Sequence, residues 1–530
     1  MQKRFNVTGL CVPTKHYMVD ISAKLAKVME LIDQGLYFAI NRPRQFGKTT
    51  MLTALAQHMW SQPDKYVLVR LSFEGVGDSI FAGESSFTPN FVELVAGALE
   101  RVYPEEAATA RNLGTTVHNM KTLSDFITQF VRHCGREVVV LIDEVDKSSN
   151  NQLFLSFLGM LRNKYLDREA GADETFHSVV LAGIHDVKTL KLKIRSDAEA
   201  KLNSPWNIAS DFDVDLSFSP AEIKTMLVPY AADKAVAMDF DAIAARLRYY
   251  TSGHPFLVSS LCKLLDEKAA AENPAFDPKR WTTDDIDWAF RQLTREAYTN
   301  ANFDDMVKNL ENNKDLFRLV GMVLFGAAKE GVPFSLKEPV INLGVILGFF
   351  RNEQGRAAIH NRVYEQVLSD YIRAKAFVSG RLPDSGSSLD YYRNGTLNLR
   401  QVLLKFQEFM KEHYSSRDAA FLEREGRLVF LSFLKPIVNG KGFLWKEPVI
   451  GDERRMDVVV TYGAAQKEVV ELKVWRGEEY HQRGLAQLSE YLDFQNLDHG
   501  FLLLFDFNKG KEYKSESINF QGKSLFAVWV

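Results

Sequence analysis

Two small groups of residues in this chain have the types and spacing for phosphate chemistry. The first is Gly47-Lys48-Thr49-Thr50, followed about 95 residues later by Asp143-Glu144. The second is Asp457, Glu471 and Lys473, near the C-terminal end. An ammonium, a hydroxyl and an acid pair suit a nucleoside triphosphate with its Mg²⁺. Two carboxylates and a lysine suit a divalent ion whose bound water attacks a phosphodiester.

The first group stands in the right local context. Asn41-Arg-Pro-Arg-Gln-Phe-Gly47-Lys48-Thr49-Thr50 follows a short apolar strand, 36–40 (LYFAI), and opens a helix that runs to about Trp60. Loop amides at a helix N-terminus bind phosphate oxygens. In such a Walker A loop Arg44, Gly47, Lys48, Thr49 and Thr50 are the candidate nucleotide contacts. Lys48 reaches the β/γ-phosphates and Thr49 gives its hydroxyl to Mg²⁺. One departure is plain: Arg42 stands where the pattern has its first Gly. The partner motif is Val138-Val-Val-Leu-Ile-Asp143-Glu144, an apolar strand ending in two acids. Asp143 is expected to hold Mg²⁺ and Glu144 to polarise the attacking water. Two roles fit Arg42 and Arg44, phosphate binding or action across an oligomer interface. His185, just past the strand 178–184, reads equally as a γ-phosphate sensor or a turn residue.

In the second group Asp457 precedes the apolar Val458-Val-Val-Thr461, a turn follows, and Val469-Val-Glu471-Leu-Lys473-Val474 comes next. Side chains alternate along a strand, so Glu471 and Lys473 share a face while Leu472 points into the core. Adjacent antiparallel strands bring Asp457 and Glu471 toward one ion, Mg²⁺ or Mn²⁺. Basic and aromatic side chains surround this stretch: Lys441, Trp445, Lys446, Arg454, Arg455, Trp475, Arg476, His481 and Arg483. That interleaving suits a nucleic-acid backbone and its bases, and equally a solvated rim.

The elements that must carry these residues follow from periodicity. Strands at 36–40, 66–73, 137–142, 178–184 and, shorter, 212–216 alternate with helices, which predicts a doubly wound α/β core over 1–220. Residues 221–300 read as helical, broken at Ser252-Gly253-His254-Pro255. The span 301–378 reads as a winged-helix-like module, with a hairpin-like piece, VILGFFRNEQGRAAIH. Gly, Ser, Pro and Asp cluster in a linker at 379–394, densest at 379–389. Beyond it lie a helical stretch (395–435), strands at 455–461, 468–474 and 500–507, and a helix at 481–494, the expected domain being 395–530. The 530 residues carry a net charge of −3, so nucleic-acid contact has to come from a local patch. Three cysteines, Cys11, Cys134 and Cys262, fit no disulfide framework or zinc site. No signal peptide and no apolar run of membrane length is evident, so a cytoplasmic protein with no membrane partner is expected.

RPRQFGKTT, LIDEVD, SPWNI at 204–208 and SGHPF at 252–256 resemble the AAA-like ATPases with an Arg-Pro-Arg loop, relatives of STAND and origin-recognition ATPases. The resemblance spans about 1–375. It implies a helical lid, a winged-helix module, and a Gly253/Pro255 turn that sets the lid beside the nucleotide. The residues around Asp457, Glu471 and Lys473 are similar to the PD-(D/E)xK nucleases appended to such ATPases, over about 395–530, with Met456-Asp457 in place of Pro-Asp. That implies an α/β/α restriction-endonuclease-like domain. It also implies that Gln487, four residues before Tyr491, supports the catalytic face, and that Glu425, near Glu423, adds a metal-binding carboxylate. Together the resemblances imply ATP binding and hydrolysis coupled to Mg²⁺-dependent cleavage of nucleic acid, DNA ahead of RNA. They further imply a homo-oligomer serving bacterial defence against phage or mobile elements. The rival reading is a nucleotide-dependent, STAND-like switch or scaffold that binds nucleic acid without cutting it.

Overall fold

The computed structural model describes residues 3–145, 152–183, 214–295, 301–325, 332–378, 391–393, 396–414, 419–438, 442–445, 458–462, 466–494, 497–508 and 510–530. They form two compact units, Met1–Leu293 with Val345–Gly348, and Thr294–Gly344 with Phe349–Val530.

In the first unit α1 (Ser22–Asp33) leads to β1 (Tyr37–Asn41), α2 (Lys48–Trp60) and β2 (Tyr66–Ser72). Then come α3 (Glu84–Leu99), α4 (Pro104–Gly114), α5 (Met120–Cys134), β3 (Glu137–Asp143), α6 (Gln152–Glu169) and β4 (Ser178–Gly183). The four strands form one parallel sheet in the order β1-β4-β3-β2, with Tyr37 opposite Val179 and Val140 opposite both Val69 and Val179. Val138 to Ile142 are all buried, as a central parallel strand covered on both faces demands. Four expected strands are thus present. The fifth is not: residues 214–216 are not in a strand, and 212–213 lie outside the described residues. Val214 and Leu216 instead bury their side chains in the same core. Helices α3 and α4 form an insertion anchored by a Phe87/Phe91/Phe157 cluster with ring centroids 4.9–5.9 Å apart.

Helices α7 (Pro220–Lys234), α8 (Phe240–Thr251), α9 (Pro255–Glu267) and α10 (Thr283–Arg295) follow. Ser219 starts α7 with a reciprocal cap: its hydroxyl accepts from the Glu222 amide at 3.2 Å, and the Glu222 carboxylate accepts from the Ser219 amide at 2.7 Å. The N-terminal segment lies on these helices. Phe5 and Tyr17 pack against Tyr230 with centroids at 4.9 and 5.3 Å.

The second unit contains α11 (Ala301–Glu311), α12 (Lys314–Phe325), all but the last two residues of α13 (Pro339–Ile346), a hairpin of β5 (Phe350–Glu353) and β6 (Arg356–Ile359), and α14 (Arg362–Val378). The hairpin loop is Gln354-Gly355, both at positive φ (50° and 82°), the two-residue turn whose twist matches the strands. Residues 379–390, which cover most of the expected linker, lie outside the described residues. Helices α15 (Leu399–His413) and α16 (Ala419–Val438) precede β7 (Gly442–Trp445), β8 (Val458–Tyr462), β9 (Gln466–Val474), α17 (Glu478–Phe494), β10 (His499–Phe505), β11 (Ser515–Phe520) and β12 (Lys523–Trp529). These six strands form one mixed sheet, in the order β7-β8-β9-β10-β12-β11. The pairs β9/β10 and β10/β12 are parallel, and the outer pairs are antiparallel. Leu485, Leu488 and Leu492 of α17 cover one face through Val469, Leu502 and Leu504. Helix α16 is shared. Its buried Arg427 donates to the Leu324 carbonyl of α12 at 3.3 Å, while a Cβ on Gly426 would meet the Phe505 ring at 3.0 Å. Among the described residues no helix is long and apolar enough to cross a membrane.

Candidate phosphate site and carboxylate–lysine cluster

The first site lies at the carboxyl ends of β1 and β3, where open parallel sheets bind ligands. Gly47 caps the start of α2 at φ +83°, a left-handed conformation that costs a side-chain-bearing residue about 1–2 kcal/mol. Lys48 is buried, and its ammonium donates to the carbonyls of Arg42 (2.7 Å) and Pro43 (2.9 Å), which folds the loop over it. The Thr49 hydroxyl donates to Asp143 Oδ2 at 3.1 Å. Asp143 is buried, and its Oδ1 accepts from the Glu144 amide at 3.0 Å. Glu144 takes φ +55°, which turns the chain sharply after β3.

The Thr49–Asp143 pair fits Mg²⁺. Metal–oxygen bonds of about 2.0–2.1 Å at right angles put neighbouring oxygens about 2.9 Å apart, close to the separation found here. Both donors are hard oxygens, and the N-terminus of a 13-residue helix lies beside them. Thr50 is half-buried in the first turn of α2, and Arg44 is exposed on the loop.

Arg42 answers a question its substitution raised. Its guanidinium donates to the Asn41 carbonyl (2.9 Å) and to the Val214 carbonyl (3.0 Å). Burial lowers its pKa from the usual guanidinium value, and the Asp215 carboxylate opposes that. The side chain therefore ties β1 to the segment after the sheet. Residues of the helices after the sheet meet the loop directly. The His254 ring lies edge-on to Phe46 at 4.6 Å, both buried, and Pro255 approaches Gly47 so that a Cβ there would be 3.9 Å from Pro255 Cγ. Gly253 takes φ +72° and has no room for a side chain: a Cβ would fall 2.1 Å from the Phe218 carbonyl oxygen. His185, Asp186 and SPWNI lie outside the described residues.

The second group is only partly described. Glu471 is 1% exposed, and Lys473 Nζ lies 3.0 Å from its Oε1. The same ammonium donates to Gln487 Oε1 on α17 at 2.8 Å. Tyr491, one turn on, is buried in the core beneath β9. Asp457 lies outside the described residues, one position before Val458, which opens β8 and pairs with Val470. Glu423 and Glu425 belong to α16, but their side chains are outside the described set. Among the described residues no group of three or more His, Cys, Asp or Glu is placed to hold a metal. Of the expected rim, Arg476 and Arg483 are exposed. His481 is not rim: it is 5% exposed, wedged against Trp475 (5.5 Å) and Trp529 (5.4 Å), and burial lowers its pKa. Lys441, Lys446, Arg454 and Arg455 lie outside the described residues, as does the side chain of Trp445.

The parallel sheet, the loop at the head of α2 and the Thr49/Asp143/Glu144 set define a P-loop ATPase-type domain. Residues 11–274 match a family model described as an AAA-like domain. Solved structures similar to it include the Walker-type ATPase PABY2304 of Pyrococcus abyssi, 10% identical, covering 69% of this chain and 99% of that one, with a TM-score of 0.44. The Aeropyrum pernix ORC1 protein, solved in complex with DNA, is 11% identical over 69% of this chain and 95% of that one, TM-score 0.32. The RuvB Holliday junction branch migration motor of Thermotoga maritima is 15% identical over 64% and 92%, TM-score 0.30. No curated protein matches the sequence.

Proposed function

We propose that this chain binds and hydrolyses ATP with Mg²⁺ at the P-loop site and that nucleotide governs Mg²⁺-dependent cleavage of nucleic acid by the C-terminal domain, as in defence against foreign DNA. At the first site Thr49 and Asp143 hold the ion, which neutralises phosphate charge. Lys48 and the amides at the head of α2 orient the phosphates, and the Glu144 carboxylate accepts a proton from the attacking water. At the second site Asp457 and Glu471, with Glu425, hold a divalent ion that lowers the pKa of water. Lys473, steered by Gln487, offsets charge on the reacting phosphate.

The observation that carries the nuclease reading is the buried Glu471 beside Lys473, itself held by Gln487. Desolvating an ion pair costs several kcal/mol per ion, and apolar residues of the same size would stabilise a sheet at least as well. A binding scaffold has no need of that cost. Cleavage of labelled DNA and RNA with Mg²⁺ or Mn²⁺, with and without ATP, tests it. Asp457→Ala and Glu471→Ala should abolish cleavage. Lys473→Ala should slow it about 10²–10³-fold, and Gln487→Ala less. Equal cleavage by Glu471→Ala and wild type removes the site. Nucleotide-dependent binding with no cleavage in any metal returns the scaffold reading.

A further inference from the structure

Strands β9 and β10 run parallel and end together, with Val474 opposite Phe505. Lys473 lies one residue before that end, and the 506–514 loop leaves β10 there. Three lysines at this end have aromatic rings as partners. Lys411 of α15 and Lys511 of the loop converge on Tyr513, with ammonium-to-centroid distances of 5.0 and 4.7 Å. Lys514 lies 4.4 Å from Trp529 and 5.8 Å from Trp475. Among the described residues none of the three forms an ion pair. Two cations gathered on one ring repel each other, and an anion between them relieves that repulsion. The loop is anchored: the Lys514 carbonyl accepts from the Trp529 amide and from Gln407 Nε2, both at 2.9 Å. Trp475 shares the strand face of Lys473, two residues on, about 7 Å away along the chain.

We propose that Lys411, Lys511, Tyr513, Lys514 and Trp475 form a binding track for an unpaired nucleic-acid strand, leading toward Lys473. The ammonium groups take successive phosphates, and the Tyr513 and Trp475 rings take bases. A ring face can stack only on a base that has left the duplex, so the track favours single strands over duplex. The exposed Glu512 of the loop and Glu516 at the start of β11 lower the net charge here, so non-specific attraction alone is a weak rival explanation. The proposal rests on the nuclease reading only for its direction toward Lys473; binding itself does not need cleavage.

The test uses the full chain in EDTA, which silences metal chemistry, with fluorescent dT20 and the same length as duplex. Wild type should bind dT20 more tightly than duplex. Three neutralised phosphates predict a log–log salt slope of about −2, a loss of roughly 15-fold between 50 and 200 mM salt. Lys411→Gln/Lys511→Gln/Lys514→Gln should flatten that slope by about 2, with the three Lys→Arg changes restoring it. Tyr513→Leu should weaken dT20 binding about 10-fold and duplex binding far less. Circular dichroism checks folding, and the single Lys514→Gln serves if the triple variant is misfolded. No binding by wild type, an unchanged slope in the folded variants, or equal losses for dT20 and duplex overturns the track. Binding as expected with no cleavage in Mg²⁺ keeps the track and removes the nuclease.

Discussion

Lys48→Ala separates what the lysine does for the loop from what it does for a nucleotide. Its ammonium makes two charge-assisted bonds, at 2.7 and 2.9 Å, to the Arg42 and Pro43 carbonyls, and it is only 7% exposed. Each such bond contributes about 1.5–3 kcal/mol. The loop carbonyls regain water once the side chain is gone, so about 3 kcal/mol for the pair is a reasonable net. For a unit approaching 300 residues, a melting shift of roughly 2 °C per kcal/mol lowers the nucleotide-free midpoint by about 6 °C. Nucleotide at 100 times its dissociation constant stabilises wild type by about 2.7 kcal/mol, and the variant should show almost none of that. Lys48→Gln, which keeps a donor without the charge, should recover part of the first loss and none of the second. Scanning fluorimetry with and without ATP and Mg²⁺, joined to calorimetric titration, reads both. An Ala variant that melts like wild type refutes the loop role, and wild-type affinity in that variant refutes the phosphate site.

Two further outcomes follow from the same unit. Glu144→Gln should bind ATP as wild type does and hydrolyse it at least about 10²-fold more slowly, because only the proton acceptor changes; a phosphate-release assay that finds unchanged turnover removes Glu144 from that role. Gly253→Ala should cost about 2–5 kcal/mol in denaturant unfolding, combining the left-handed φ with a Cβ placed 2.1 Å from the Phe218 oxygen, and a loss under about 0.5 kcal/mol would mean the turn can rearrange.

Much of the nucleotide-binding core was legible because its signals are local. Tyr37–Ile40 and Val138–Ile142 are apolar runs ended by polar loops, and the helix from Lys48 to Trp60 begins where the Gly-Lys-Thr run places it. Other features depend on partners distant in sequence. Arg42 looked like a defect in the loop, but its role comes from the Val214 carbonyl, 172 residues away. The expected strand at 212–216 alternates apolar and acidic residues, yet Val214 and Leu216 reach the core without strand pairing. His481 read as a basic rim residue because burial between Trp475 and Trp529 depends on β12, which periodicity alone did not reveal. The turn Gln521-Gly522, with φ of 47° and 79°, was the available signal for the β11/β12 hairpin. In the carboxylate–lysine group, strand alternation correctly put Glu471 and Lys473 on one face. It gave no indication that the face would be closed over by α17.

The strand order has a consequence for how the protein is made. Among the described residues the strand that carries the P-loop pairs with β4 alone, Tyr37 meeting Val179 across some 140 residues of chain. As synthesis proceeds, β1 and α2 leave the ribosome well before β4, and among the described strands β1 has no neighbour in the sheet until residue 183 has followed. At about 5–20 residues per second, that is a wait of roughly 7–30 seconds with an apolar strand unpaired. Nucleotide binding is therefore a late-arriving property of the nascent chain, and the interval is one in which the exposed β1 edge depends on chaperones or on speed to avoid pairing elsewhere.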